Sequence, residues 1–501
     1  MKKDILKGVM AIGCIILALF TSAYLNDLEY KAKKESKKKQ NTQAGQIYEN
    51  NLNNTRFNLP VLLIDTSGQQ ILRNEEITAN LQIYNNNSGV NTLNDKPNII
   101  SKVNIKIRGN SSTKYPKKQF SLELINGKGE EKESSLLGMP KESEWVLNGP
   151  FLDKSLMRNY IALNTAGKIM EYAPRAKFCE VIIVDDGNKE LSEDNYRGVY
   201  VLMEKIKRDE RRVDIIKTID NINETSFILA KDRQKENDIN ITSYGKETDQ
   251  YFYGLNIVYP KKDLTPEKYD YIMDEINNFE RILYSDKFNH KTEGYSKYID
   301  VDTFVDYYII NEFFKNTDAG MLSTYVYKDY EEKIKAGPVW DFNESMGNTM
   351  NKDEQVYDYT EFTMIHKPWF DRLMMDINFA NKVVKRYKEL RKTYLSDEYL
   401  TKFIDETVKL LGDSTKRNFD RWPIYISNQA KVFEESGDIT GDYSVDLDIY
   451  IKYLEEHKHL LKNTEGMATS YEEEISLLKN FIVNRGNWMD SNIDSLKKWA
   501  S

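Results

Sequence analysis

The sequence predicts an α+β protein with two lobes, a β-rich lobe over residues 56–230 and a helical lobe over residues 231–501. The first half of the chain has short runs of alternating apolar and polar residues separated by turn residues, a pattern typical of strands. Beyond residue 348 the apolar residues recur at helical spacing. A chain of 501 residues, 12% of them aromatic, is long enough to form the cores of two lobes.

Residues 1–55 differ in composition from both lobes. A short flank, residues 1–4, leads into a nearly continuous apolar run over residues 5–25, which has about the length of a membrane-spanning helix. We interpret this run as an uncleaved membrane anchor, and the alternative is a signal peptide cut after Ala23. Residues 26–55 are rich in Lys, Asn and Gln and are predicted to form a polar tether.

The distribution of charge bears on location and partners. Three Lys precede or open the apolar run and six follow it, so the positive-inside rule places the lobes in the cytoplasm. The signal-like character of the run argues for the opposite orientation, and we expect a single-pass anchor with extracytoplasmic lobes. The net charge is −8, and residues 1–40 carry about +5, which leaves about −13 for the rest. The net negative charge of these residues argues against a nucleic-acid partner. It is compatible with a basic protein substrate, or it serves solubility alone.

Seven strands are predicted in the β-rich lobe from β-branched and aromatic runs bounded by turn residues. They cover residues 59–64, 77–84, 103–107, 118–124, 177–184, 197–205 and 226–230. A helix is expected after residues 144–148, with Asp153 at its N-terminus. Arg158 in this helix is expected to pair with Asp153, and the alternative is that it contacts a ligand.

The loop after the third predicted strand has the composition of an anion-binding loop. It includes Arg108, Asn110 and Ser111, and backbone N–H groups of such small residues can bind phosphate oxygens while the guanidinium adds a forked donor. In the next strand Lys118 is in phase with the inward apolar residues, whereas Lys117 is in phase with the solvent face. Lys118 is therefore predicted to bind phosphate, and the alternative is a lysine that reaches solvent at the strand mouth.

The strand over residues 197–205 contains a candidate partner for this lysine, Glu204. Protein kinases pair the lysine that binds the nucleotide phosphates with a glutamate. We therefore predict a Lys118–Glu204 ion pair. The alternative is that Glu204 forms a solvent-exposed ion pair elsewhere.

Residues 316–348 predict a β-hairpin in the second lobe. Residues 321–327 have strand composition, residues 328–332 are polar turn residues, and residues 334–340 form a second strand that ends near Gly337-Pro338. Two helices are predicted before it, one over residues 266–283 after the capping residue Thr265, and one after Asp300 that leads into the hairpin. The hairpin places Asp318 and Asp341 at the same end.

Two carboxylates in this arrangement suit phosphoryl transfer from ATP. One can orient the attacking hydroxyl and the other can bind the divalent metal ion that neutralises the phosphates. Asp318 is thus the candidate catalytic residue and Asp341 the candidate ligand of Mg²⁺ or Mn²⁺, with Ser323 and Asn343 as further ligands from their positions relative to the kinase motifs. The alternative is a surface hairpin whose aspartates cap turns.

The motifs resemble those of the CotH kinase-like family, a family of atypical kinases. They are Asn316-Thr317-Asp318, Tyr325-Val326-Tyr327, Trp340-Asp341-Phe342, the RGNSS loop with its following lysines, and a strand that ends in Glu204-Lys205. The resemblance covers roughly residues 104–348. It implies a two-lobed protein-kinase-like fold, ATP and a divalent metal as cofactors, and a Ser/Thr-rich coat protein as the acceptor.

Two positions depart from these patterns. Ser323 stands where protein kinases have an asparagine that binds the second metal, and Asn343 stands where the family often has a second aspartate. A hydroxyl is a weaker ligand than an amide carbonyl, and the loss of a charge lowers the expected metal affinity. The alternative function is therefore a surface or coat binding protein, adhesin-like and with weak or no catalysis, on the same fold.

Overall fold

The computed structural model describes residues 52–500 except residues 189, 235–237, 252, 350–354, 429–450, 453–455 and 457–465. The predicted flank and anchor over residues 1–25, and the tether up to residue 51, lie outside these ranges and stay predictions. Within the described ranges no helix is both long enough and apolar enough to cross a membrane.

Seven strands close into a barrel in the order β1-β2-β3-β4-β5-β7-β6. Their bounds are β1 Val61–Asp65, β2 Ile77–Tyr84, β3 Ile99–Arg108, β4 Gln119–Ile125, β5 Glu144–Asn148, β6 Ala176–Val184 and β7 Tyr196–Glu204. The barrel closes through parallel pairing of β1 with β6, with Val61 opposite Glu180. The other neighbouring pairs are antiparallel.

The barrel interior is filled by the alternating apolar residues that the sequence displays. Strand β3 lies between β2 and β4. Its residues Val103 and Ile105 are fully buried whereas Lys102 is exposed, as expected for a strand with one solvated face. Trp145 on β5 is also fully buried. Strands β6 and β7 are buried on both faces because helices pack on their outer side.

A second sheet of five strands has the order β12-β11-β8-β10-β9. Its strands are β8 Phe227–Lys231, β9 Asn240–Ile241, β10 Leu255–Tyr259, β11 Thr324–Lys328 and β12 Lys335–Ala336. The central strand β8 pairs antiparallel with β10 and with β11. The register of β8 with β11, Lys231 opposite Thr324, sets which residues leave the sheet at the same edge.

One helix lies between β5 and β6, and the other helices follow β7 in the chain. In chain order the helices are α1 Arg158–Ala166, α2 Tyr244–Glu247, α3 Pro266–Leu283, α4 Val301–Phe313, α5 Phe370–Met374, α6 Ile377–Leu390, α7 Asp397–Leu411, α8 Asp413–Arg421 and α9 Tyr471–Asn492. The predicted caps are confirmed for α3, where the Thr265 side chain accepts from the Lys268 N–H, and for α4, where Asp300 accepts from Asp302 and Thr303.

The mixed α+β class is confirmed, one predicted helix is wrong, and two features of the sheets were not predicted. The helical spacing of apolar residues over 399–419 predicts one helix, but Gly412, with a φ of 44° and a ψ of −130°, ends α7 before α8 begins. The closure of the barrel was not foreseen. Neither was the five-stranded sheet that occupies much of residues 227–336, because its strands are short and separated by helices.

Candidate active site

The predicted hairpin is present, with shorter strands than expected. Strand β11 pairs antiparallel with β12, with Val326 opposite Ala336, and the pairing continues with a bond from the Gly337 N–H to the Tyr325 carbonyl at 2.9 Å. The chain before β11 and the chain after β12 therefore emerge at the same end. This is the end at which Asp318 and Asp341 lie.

Side-chain and backbone hydrogen bonds connect the two segments that contain these aspartates. The Asn316 side-chain amide donates to the Asp341 carbonyl oxygen at 3.3 Å and to the Asn311 side chain on α4 at 3.1 Å. The Met346 N–H donates to the Phe314 carbonyl at 2.7 Å. The loop after α4 and the loop after the hairpin are thus held together independently of any ligand.

The charge of Asp318 acts on Asp341, so the two carboxylates lie close enough to interact. Burial, the neighbouring charge of Asp318 and that of Asp232 raise the pKa of Asp341 to about 6, although Arg108 opposes the shift. Burial also raises the pKa of Asp318, and Arg233 and Lys367 oppose that shift. Asp232, Asp318 and Asp341, the acid cluster, therefore occupy one region, and like charges destabilise one another there.

Sequence reasoning missed Asp232, Arg233 and Lys367. Asp232 and Arg233 follow β8 directly, and Lys231 pairs with Thr324, so both residues leave the second sheet beside the segment that contains Asp318. Lys367 comes from a later loop, and its ammonium group donates to the Thr317 carbonyl. Only the charged Asp232-Arg233 pair at the end of an apolar strand was visible in the sequence as a signal.

Asn159 on α1 holds the residues that follow Asp341. Its side-chain oxygen accepts from the Phe342 N–H at 2.8 Å, and its amide nitrogen donates to the Asn343 side-chain oxygen at 2.7 Å. The Asn343 amide in turn donates to Asp341 Oδ1 at 2.6 Å. Phe342 itself is fully buried and packs edge-on against Phe314. Asn159 is therefore a positioning residue that the sequence analysis did not identify.

The predicted metal ligands fit a hard cation in chemistry but are only partly arranged for one. Asp341, Ser323 and Asn343 offer oxygen atoms, which Mg²⁺ prefers, and a cation would relieve the repulsion within the acid cluster. The Asn343 oxygen, however, already accepts from Asn159. Ser323 is half-buried with a φ of 49°, directly before β11. In the described part of the chain no group of three or more His, Cys, Asp or Glu side chains is arranged to hold a metal ion.

Arg108 extends from the end of a barrel strand towards the acid cluster. It ends β3, its guanidinium lies 5.6 Å from the centre of the Trp340 ring, and its positive charge acts on Asp341. Burial lowers the pKa of Arg108, and Tyr325, Asp341 and Asp232 oppose this shift. The side chain is thus a cation that faces the candidate metal ligand from the neighbouring sheet.

The predicted phosphate loop adopts a compact turn after Arg108. Gly109 has a φ of 110°, a backbone conformation that residues with a Cβ atom rarely adopt, so the turn favours glycine there. The Asn110 carbonyl accepts from the Thr113 N–H at 3.3 Å and from its hydroxyl at 2.7 Å, and Ser111 begins the short 3₁₀ turn. Asn110 and Ser111 are both partly exposed.

The inward direction predicted for Lys118 is confirmed, and the solvent-facing direction predicted for Lys117 is wrong. Lys118 is buried, as expected, and its ammonium donates to the Thr113 carbonyl at 2.6 Å, beneath the loop. Lys117 was expected to face solvent, but it is 1% exposed and donates to the Pro150 carbonyl and to Asn418 on α8. Helix α8 covers what the strand period marked as the solvent face, and this contact is invisible to local periodicity.

The predicted Lys118–Glu204 pair is not formed. Glu204 accepts from Arg175 Nη1 at 2.8 Å, from the Arg175 N–H at 3.0 Å and from the Tyr172 hydroxyl at 3.2 Å. Lys118 lies next to Tyr200, whose hydroxyl donates to the Lys118 carbonyl at 2.8 Å. Four residues along β7 separate Tyr200 from Glu204, or about 13 Å. The prediction identified a buried glutamate but assigned it the wrong partner.

We expect Glu204→Gln to destabilise the fold without changing nucleotide affinity. The variant removes a buried charge that three donors satisfy, and the loss should be about 1–3 kcal/mol. Urea unfolding measures the change in the free energy of unfolding, and equilibrium nucleotide binding measures the affinity. A large loss of nucleotide affinity in a folded variant would restore the original prediction for Glu204.

The raised pKa of Asp341 predicts a specific pH dependence of stability without metal. The folded state holds a proton up to about pH 6 whereas the unfolded chain releases it near its ordinary pKa, so this stabilising contribution is lost as the pH rises through about 6. Asp341→Asn should therefore be more stable than wild type by at most about 3 kcal/mol at pH 7.5. This difference in the free energy of unfolding should be smaller at pH 4.5. Urea unfolding with a chelator at both pH values measures this difference, and a difference independent of pH would contradict the prediction.

Arg158 has the structural role expected of it. The side chain is fully buried, and Nη1 bonds Asp153 at 2.6 Å and Glu474 on α9 at 2.6 Å. The Asp153 carboxylate also accepts from the Arg158 N–H at 2.9 Å at the start of α1. Arg158 is thus not directed at a ligand.

Together these features define a class of protein: a mixed α+β fold in which a β-hairpin places two carboxylates beside a half-buried arginine from a neighbouring barrel. The chain belongs to the family described as CotH kinase protein, whose family model matches residues 105–489. The match confirms the resemblance and extends it to α9. The chain is also similar to the inner spore coat protein H of Bacillus subtilis (strain 168), with 22% identity over 312 residues, which is 61% of this chain and 76% of that protein.

Proposed function

We propose that this chain is an ATP-dependent phosphotransferase with a two-lobed kinase-like fold that acts on serine or threonine of a protein. The observation that carries the proposal is the acid cluster, in which the hairpin brings Asp318 and Asp341 together and Arg108 faces Asp341. Phosphoryl transfer needs one group for the acceptor hydroxyl and another for the metal–nucleotide complex. Membership of a family described as CotH kinase protein supports the same chemistry.

In the proposed reaction Asp318 orients the acceptor hydroxyl and accepts its proton. The acceptor oxygen forms a bond to the γ-phosphorus while the bond from that phosphorus to the β–γ bridging oxygen breaks, and ADP leaves with the electron pair. The raised pKa of Asp318 makes this carboxylate a better proton acceptor than an exposed aspartate.

The cofactor-binding residues of the proposal come from both sheets. Asp341 would hold Mg²⁺ or Mn²⁺, with Ser323 and Asn343 nearby, and a bound ion would neutralise phosphate charge. Arg108, Lys118 and the loop with Asn110 and Ser111 would bind the phosphates. Glu204 has no part in this proposal because Arg175 and Tyr172 occupy its carboxylate.

We further propose a coat protein as the acceptor, because the relative is named an inner spore coat protein. A basic, Ser/Thr-rich acceptor would complement the acidic charge of the lobes. The apolar run over residues 5–25 supports a membrane anchor with extracytoplasmic lobes. Protease treatment of intact cells tests this orientation: cleavage of the lobes places them outside, and protection places them inside.

The test of the function is direct transfer. The full chain, labelled ATP, Mg²⁺ or Mn²⁺ and a basic Ser/Thr-rich protein are incubated together, and label on the protein is measured with and without a chelator. We expect metal-dependent labelling on serine or threonine. Its absence with every acceptor, together with absence of metal-dependent nucleotide binding, contradicts the proposal.

A binding protein without catalysis is the second candidate. The observation that favours it is the Asn343 side chain, whose oxygen is engaged by Asn159 and whose amide is engaged by Asp341, so that Asn343 must rearrange to bind metal. Nucleotide binding without transfer, unaffected by substitution of either aspartate, is the result expected for this candidate.

A further inference from the structure

Helix α9 contains two fully buried charged residues, Glu474 and Arg485. A buried charge destabilises a fold unless it is paired and hydrogen-bonded. Both are paired. The partner of Arg485 belongs to the helix that precedes the candidate catalytic Asp318, and the partner of Glu474 binds the loop that follows the candidate metal ligand Asp341. The helix is more than 120 residues from either aspartate in the sequence.

The first connection runs from Glu474 to the loop after Asp341. Glu474 Oε1 accepts from Arg158 Nη1 at 2.6 Å. Arg158 Nε donates to the Ser345 carbonyl at 3.0 Å, and Nη2 donates to the Met346 carbonyl at 3.2 Å. One guanidinium thus joins the helix to the residues four and five positions after Asp341.

This loop has a strained backbone that needs support. Asp341 and Met346 have φ values of 62° and 49°, a range of backbone conformation that residues other than glycine rarely adopt. Such conformations persist when surrounding contacts determine them. The Arg158 donors provide such contacts for the carbonyls of Ser345 and Met346, and Asn159 provides another for Phe342.

The second connection runs from Arg485 to the end of α4. Arg485 Nη2 donates to Glu312 Oε1 at 2.5 Å and to the Glu312 carbonyl at 2.8 Å. Glu312 is in the last turn of α4, six residues before Asp318, and its carboxylate also accepts from the Thr363 and Met364 N–H groups at 3.0 and 2.7 Å. These bonds join the segment that precedes Asp318 to the segment that leads to Lys367.

We propose that helix α9 is a positioning element of the active site, in which Glu474 acts through Arg158 on the metal-binding Asp341 and Arg485 acts through Glu312 on Asp318. The proposal rests on the proposed phosphotransferase function. It assigns separate consequences to the two residues. The Glu474 connection governs the metal requirement, and the Arg485 connection governs turnover.

Two conservative variants of the full chain test this assignment. Glu474→Gln should raise the Mg²⁺ concentration for half-maximal transfer about tenfold or more, with kcat at saturating Mg²⁺ nearly unchanged. Arg485→Lys should lower kcat about tenfold or more, with the Mg²⁺ requirement unchanged, because a small displacement of Asp318 misaligns the acceptor. Lys479→Gln is the matched control, because it breaks the exposed ion pair of the same helix with Asp405 and contacts neither loop.

Hydrogen exchange provides a readout that needs no activity. Glu474→Gln should accelerate exchange of backbone N–H groups in residues 342–348 about tenfold or more, and Arg485→Lys should do so in residues 314–318. If wild type transfers no phosphate yet these local changes appear, the proposed function fails and the positioning connections stand.

The proposal is overturned if folded variants leave both kinetic parameters and both exchange rates as in wild type. It is also overturned if both variants change the same parameters in proportion to their loss of melting temperature. Where Glu474→Gln does not fold, Glu474→Asp, which keeps the charge, replaces it. Because the shorter side chain withdraws from Arg158, a raised Mg²⁺ requirement with faster exchange in residues 342–348 supports the proposal, and wild-type values of both in the folded variant contradict it.

Discussion

Replacement of Asp341 by asparagine is expected to lower kcat/KM for metal-dependent phosphoryl transfer by about 1,000-fold or more. Asparagine keeps the shape of the side chain and still accepts from the Asn343 amide, which lies 2.6 Å from Asp341 Oδ1. It removes the negative charge on which cation binding depends in this proposal. Initial rates over a range of Mg²⁺ concentrations and nucleotide binding with and without Mg²⁺ measure the effect.

The same variant separates metal binding from folding. Because burial and Asp318 raise the pKa of Asp341, the substitution should make the metal-free protein more stable at pH 7.5 while transfer is lost. The matched control is Asp329→Asn at the turn of the same hairpin, where the carboxylate accepts from the Ile216 and Tyr330 N–H groups. Its rate should stay within about twofold of wild type. Unchanged metal-dependent transfer in Asp341→Asn would remove Asp341 from the reaction.

Asp318→Asn is expected to lower kcat by about 10²- to 10⁴-fold, the usual contribution of a positioned general base. Metal-dependent nucleotide binding should persist, because the proposal gives Asp318 the acceptor hydroxyl rather than the metal. Measurement of kcat beside the nucleotide dissociation constant distinguishes this variant from Asp341→Asn, which should lose both.

Two outcomes would contradict this role for Asp318. If Asp318→Asn keeps the wild-type kcat, another group accepts the proton. If it loses nucleotide binding to the same degree as Asp341→Asn, both carboxylates bind the metal and neither is reserved for the acceptor. Unaltered nucleotide binding in both variants, with no transfer in wild type, supports the binding protein.

The hairpin and its two aspartates were predictable because the signals are local. The composition of β11, the polar turn and the Gly337-Pro338 end of the second arm specify an antiparallel pair, and pairing alone brings Asp318 and Asp341 to one end. The caps of α3 and α4 were predictable for the same reason. A side chain at an N-cap bonds backbone groups two or three residues away.

The environment of those aspartates was not predictable. Asp232 and Arg233 join the cluster because β8 pairs with β11, and Lys367 and Asn159 reach it from separate loops and helices. Glu204 was identified as a buried acid but received the wrong partner. Its partner Arg175 lies just before β6, 29 residues earlier in the chain. No periodicity connects these residues.

The sequence by itself determined the mixed α+β class, the hairpin, the two carboxylates at its end and membership of the family, since each depends on turn chemistry, side-chain alternation or a continuous motif. Only the tertiary structure decided that the barrel closes between β1 and β6, that Lys117 is buried beneath α8, and that α9 is joined to the segments of both aspartates, by Glu474 through Arg158 and by Arg485 through Glu312. The physical reason is that the burial and pairing of a charge depend on whatever packs against it. In this chain such partners can lie more than three hundred residues apart in the sequence.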